Sequence, residues 1–192
     1  MKRNHVFSIR NLVMMAALVA MQIILARFLS IQASDILRIS FEVIPLVLAG
    51  LWLGPINGAI VALLADVIGT VLSGFGIWFA PIALGPIMVG ILSGLSVRWL
   101  KIDLSSIHDT WKVILTVAVV EIINAFVIGP FTTTLYSMFV MGNTTAFDVL
   151  LWTNFVGRLT TKPITIIADT ILVAVVNRTV YKPVIRQIVS RA

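Results

Sequence analysis

The chain has 192 residues, 59% of them hydrophobic and only 11% charged, with a net charge of +6 and a mean hydropathy of +1.07. Soluble domains carry about 25% charged residues, so the composition excludes an ordinary soluble domain and indicates one compact membrane domain over residues 1–192. No cysteine is present, which excludes disulfide scaffolds, thiol chemistry and Cys-ligated metal.

The pattern predicts an all-α integral membrane protein with six transmembrane helices. Residues 12–29 form the first. The basic head and apolar run at the N-terminus also fit a signal peptide. The run continues to Ala26 with only Gln22 in it and no convincing small-x-small cleavage site, so it reads as a retained helix. The second helix, residues 40–53, has 14 residues. At 1.5 Å per residue it is about 21 Å long, short of the ~30 Å hydrocarbon core. Short or Gly/Pro-interrupted apolar segments mark sites inside transporters. A Gly54-Pro55 turn leads to the third helix, residues 57–72. The fourth covers 80–100. The fifth runs from 113 to 131 and on toward Met141 after a bend at Gly129-Pro130. The sixth lies within 155–176, and residues 146–153 are expected on the outer surface.

Ten of the fourteen Lys and Arg fall in the two tails, about 1–11 and 177–192, and around the loop between helices four and five. The positive-inside rule then gives an N-in, C-in topology with cytoplasmic tails. Trp99 and Trp111 flank that inner loop as interfacial aromatics do. Because the basic residues flank apolar runs and form no stripe, nucleic acid is not an expected partner, although the pI is near 10.3.

The remaining four basic residues fall on the outer side: Arg27, Arg38, and the pair Arg158 and Lys162, which share one helical face. Each alone fits snorkelling to the interface. Together they fit an outward-facing cationic pocket for an anionic ligand. Asp35, Glu42 and Asp148 on the same side would neutralise part of it. Three acids lie deeper, Asp66, Glu121 and Asp169. An embedded carboxylate is a functional candidate by default. Asp66 and Asp169 read better as hydrogen-bonded ties between helices. Glu121, with Asn124 one turn on, fits either a tie or a reader of a flat heterocycle. The segment SGFGIWFAP, residues 73–81, carries Phe75, Trp78 and Phe79, an interfacial belt or a lid whose rings stack on a ligand. Ala16 and Ala20 form a small-xxx-small pair that permits close approach of another helix.

No Walker P-loop, HExxH or GxSxG motif occurs, and His5 and His108 sit in the tail and the inner loop, so no enzyme is expected. The chain cannot power ATP-driven transport alone.

Four runs carry a family resemblance: RISF at 38–41, P-x-x-L-A-G ending at Gly50, L-G-P-x-x-G at 53–58, and A-D-x-I-G at 65–69. With them the chain resembles the S components of energy-coupling factor (ECF) vitamin importers, closest to the folate family. The resemblance implies an outward-facing vitamin pocket in a multi-pass protein of the bacterial cell membrane. It also implies partnership with a transmembrane coupling subunit and two ATPases, with Ala16 and Ala20 as the docking pair. No cofactor is expected on this chain, ATP being used by the partners. The folate-like lid reads G-x-Y-F-P-G-F, where this chain has GIWFAPI at 76–82. The fifth-helix Asn-Thr-Leu-Trp is replaced by Thr-Thr-Leu-Tyr ending at Tyr136, while the basic residue of the sixth helix is present as Arg158. Folate and pantothenate both remain open as the ligand. The substrate set implied is Arg27, Arg38, Phe75, Trp78, Phe79, Glu121, Asn124, Tyr136, Arg158 and Lys162. The competing reading is a structural membrane subunit or small channel that moves no vitamin.

Overall fold

The computed structural model describes residues 9–27, 31–32, 38–39, 41–73, 78–181 and 183. Apart from a two-residue antiparallel bridge pairing Ile31 with Ile39 and Gln32 with Arg38, its regular elements are helices. In lipid every backbone N–H and C=O must be satisfied within the segment, and the helix does this. Helix α1 is Ile9–Arg27, α2 Val43–Leu53, α3 Pro55–Ser73 and α4 Ala80–Trp99. Then α5, Thr110–Ile123, runs through a π-helical turn, Asn124–Ile128, into α6, Gly129–Phe139. The last helix, α7, is Phe147–Val180. Five spans, taking α5 to α6 as one, are long and apolar enough to cross a membrane, and α2 is a shorter apolar helix.

Helix α2 is the centre of the bundle. Its residues from Ile44 to Trp52 are all buried, and it packs on α1, α3, α4 and α7. A helix apolar on every side must be enclosed by others. The chain turns out of it at Gly54, whose φ of 89° lies in the left-handed region open to glycine. Pro55 then starts α3, where its missing N–H costs nothing. Helices α2, α3 and α4 meet without side chains between them. A Cβ added to Gly58 would sit 2.8 Å from the Gly90 carbonyl oxygen and 2.9 Å from the Gly50 Cα.

Two boundaries differ from the sequence reading. Residues 147–153, expected as a surface segment, are the first two turns of α7. That helix has 34 residues, about 50 Å at 1.5 Å per residue, more than the hydrocarbon core requires. Hydropathy alone marks the apolar stretch and misses a helix that continues beyond it. Second, the bend at Gly129-Pro130 is a π turn inside one 30-residue helix. Pro130 lacks an N–H and its ring crowds the carbonyl four residues back, which widens the turn.

At the other end of α7, Trp52 Nε1 donates to Asn177 Oδ1 at 2.9 Å, and Asn177 Nδ2 donates to the Leu104 carbonyl at 3.4 Å. These bonds tie α2, α7 and the α4–α5 connection together. In that connection Lys112 Nζ lies 2.8 Å from Asp109 Oδ1. The hydrogen bond from Lys112, with that from the Asp103 backbone, holds the Asp109 carboxyl below its usual range. Trp99 and Trp111, on either side, are both largely exposed.

Gly90→Ala is expected to lower the thermal midpoint in detergent, because a Cβ would sit 2.6 Å from the Gly58 carbonyl carbon and the backbone cannot yield. The strain should cost about 1–3 kcal/mol and outweigh alanine's helix preference of about 1 kcal/mol. Gly157→Ala, where no described atom lies within 4 Å of the new Cβ, should leave the midpoint unchanged or raised. Equal midpoints for the two variants would mean that α3 and α4 separate freely. Trp52→Phe leaves Asn177 Oδ1 buried without its donor and should cost about 1–3 kcal/mol in the same assay.

Candidate functional site

A cavity of about 530 Å³ lies among the helices, within the range of small-molecule sites. Each helical span contributes one face. Helix α1 presents Gln22, Ile23 and Ala26; α2 presents Glu42, Val43 and Leu46; α3 presents Ala65, Asp66 and Gly69. Helix α4 offers Ile82, Gly85, Pro86 and Val89, spaced on one helical stripe. The π turn and α6 bring Asn124, Gly129, Thr132 and Thr133. From α7 come Thr153, Asn154, Gly157, Arg158, Thr161 and Lys162.

The charges divide between walls. Helix α3 packs on α1, α2 and α4, whereas α7 packs on α2, α5 and α6. Asp66 therefore stands on one wall and the cations Arg158 and Lys162 on another, with Glu42 at the start of α2 between them. Trp78 Nε1 donates to Asp66 Oδ2 at 2.8 Å, fixing that carboxylate against the wall. Arg158 Nη2 donates to Thr133 Oγ1 at 2.8 Å. Asn154 Nδ2 donates to Thr134 Oγ1 at 3.1 Å. Asn124 lies over Gly85, where an added Cβ would be 2.9 Å from its Oδ1. Lys162 has no ion pair within 4.0 Å among the described residues, but lies within electrostatic reach of Glu121 and Asp169.

The structure brings together three of the ten expected substrate residues on the cavity wall: Asn124, Arg158 and Lys162. Trp78 reaches the wall through Asp66 without lining it. Phe79 and Tyr136 pack edge to face on each other, ring centres 5.9 Å apart, and neither lines the cavity. Glu121 is buried between helices, with no hydrogen-bond partner on Oε1. Asp169, expected as a tie, is buried too, with no partner on Oδ1. Arg27 ends α1 and Arg38 lies in the short bridge; their side chains, and all of Phe75, lie outside the described residues. Ala16 and Ala20 are exposed on the outer face of α1.

Sequence reasoning passed over Asp66 as a ligand contact, took Glu42 only as a neutralising charge beside the pocket, and missed Asn154, Thr133 and Thr161. The signal was present on α7. Asn154, Arg158, Thr161 and Lys162 are spaced i, i+4, i+7 and i+8, a polar stripe that an apolar helix has no reason to carry unless it faces a cavity.

A bundle of this kind, with a polar cavity in an apolar shell, is a membrane binding protein. Residues 6–178 match the family model described as ECF-type riboflavin transporter, S component. The chain therefore belongs to the S components of ECF-type transporters, a family of membrane transport subunits and not of enzymes, and is a multi-pass protein of the cell membrane. The folate transporter FolT of Clostridium novyi (strain NT) is 32% identical over 83 residues, 43% of this chain and 48% of that protein. The match thus spans about half the length of the curated relative. The crystal structure of FolT bound with folic acid superposes with a TM-score of 0.63 at 23% identity, covering 86% of this chain and 93% of the other. At that identity the likeness is one of fold.

Proposed function

We propose that the chain is the substrate-binding subunit of an ECF importer that takes up a carboxylated vitamin, with folate favoured over pantothenate. The observation that carries this is the division of charge in the cavity, Arg158 and Lys162 on α7 and the fixed carboxylate of Asp66 on α3. Two cations suit carboxylates, and a charge-assisted bond to arginine is the strong form of that contact. A carboxylate opposite suits a flat edge with adjacent N–H donors, which a pterin has and pantothenate lacks. Riboflavin, named in the family description, has no carboxylate to offer either cation. The relative and the solved structure named for folate add support.

In this reading both termini face the cytoplasm and the cavity takes its ligand from outside. The chain binds no cofactor. A coupling subunit docks on α1 through Ala16 and Ala20, and two ATPase subunits drive inward delivery. The exposure of both alanines, with Leu12, Val13, Met21 and Ile24 also exposed on α1, leaves a smooth apolar face for such a helix contact.

Titration of the purified chain with folate, pantothenate and riboflavin, followed by tryptophan quenching, tests the ligand. Folate should bind tightest. Arg158→Ala should weaken it roughly ten- to a hundredfold, the equivalent of about 1.5–3 kcal/mol. An unchanged Kd removes Arg158 from the site, and binding of neither folate nor pantothenate rejects the carboxylated vitamin as the ligand. Ala16→Leu with Ala20→Leu should abolish ATP-dependent uptake while folate binding survives. Binding lost in that variant would make α1 a folding element and not a docking face.

A further inference from the structure

The bond that holds Arg158 has a defined proton arrangement. Thr133 Oγ1 lies 2.7 Å from the Gly129 carbonyl oxygen, which can only accept. The hydroxyl has one proton and must donate it there. Its lone pairs are left to Arg158 Nη2, 2.8 Å away, which can only donate. Thr132 Oγ1 also donates to the Gly129 carbonyl, at 3.2 Å. The guanidinium lies against Gly129 of α6 at that point. A Cβ on Gly129 would meet Arg158 Nη1 and come within 2.7 Å of Cζ.

The π turn makes this placement possible. The Gly129 N–H bonds to the Asn124 carbonyl, five residues back. That longer bond brings residue 129 roughly above residue 124, so Asn124 and the Gly129–Thr133 turn reach the same wall. We propose that Gly129 and Thr133 are positioning residues, which orient the Arg158 guanidinium as a receptor for the ligand's carboxylate. One N–H of the planar fork is bound to Thr133, and this fixes its plane before the anion arrives.

The assignment rests on the proposed anionic vitamin. Folate binding is measured in Thr133→Val, Thr133→Ser and Gly129→Ala, and Thr133→Val is repeated in an Arg158→Met background. Thr133→Val should weaken folate about tenfold, the size of one well-placed charge-assisted bond. Serine, which keeps the hydroxyl, should recover most of the affinity. Gly129→Ala should lose a similar factor with Thr133 intact, because the methyl displaces the guanidinium. With Arg158 already methionine, Thr133→Val should cause no further loss. An equal loss in both backgrounds would overturn the proposal, making Thr133 a direct ligand contact, as would no loss in either. A wild-type chain that binds folate while Thr133→Val binds equally well sinks this assignment alone. One that binds neither folate nor pantothenate sinks the proposed function and this assignment with it.

Discussion

Helices α2, α3 and α4 touch backbone to backbone at Gly50, Gly58, Gly90 and Gly94, and the remaining geometry depends on that contact. In lipid there is no hydrophobic gain from pressing apolar helices together, so association relies on close packing, and glycine allows the closest approach. The three-helix unit fixes where Glu42 begins α2, where Asp66 projects from α3, and where Ile82 and Gly85 face on α4. One wall of the cavity is thus set by contacts in which no side chain can adjust. The opposite wall, on α6 and α7, is set by hydrogen bonds among Gly129, Thr133, Thr134, Asn154 and Arg158. Apolar contact positions the acidic wall, and polar contact positions the basic one.

The bundle keeps its embedded charges in two ways. Asp66 and Arg158 have partners and face the cavity. Glu121 and Asp169 are enclosed between helices, each with an oxygen that has no hydrogen bond. An unpaired carboxylate there would be costly, and Lys162 is the cation within electrostatic reach of both. Lys162 thus faces the cavity while answering to acids behind it. Arg158, whose hydrogen bond is to a neutral hydroxyl, has no ion pair within 4.0 Å among the described residues.

Much of the fold was legible because helices in lipid follow apolar length. The short second helix, the Gly54-Pro55 turn and the break at Pro130 were all visible as sequence punctuation. The start of α7 was not, since residues 147–153 mix Asp148 and Thr153 with apolar residues and only packing shows that the helix continues. The site was legible by charge and not by ring. Arg158 and Lys162 stood out because a cation inside an apolar segment needs a reason. Phe79 and Tyr136 did not meet the cavity, because aromatic residues pair with each other as readily as with a ligand. Asp66 was passed over because its partner, Trp78, lies twelve residues away across a connection that no helical periodicity spans.

The long last helix is held at two distant points. In its N-terminal half Arg158 is bonded to α6 through Thr133. Near its C-terminal end Asn177 is bonded to Trp52 of α2 and to Leu104. The two anchors are nineteen positions apart, about 28 Å along the axis. Pro163, lying between, removes one backbone bond from the rod. A tilt of α7 that widens the cavity must therefore break the anchor at Arg158, strain the one at Asn177, or bend the rod near residue 163. The helix that carries the cations is also a beam clamped at two points, and the missing backbone bond between them lies next to Lys162.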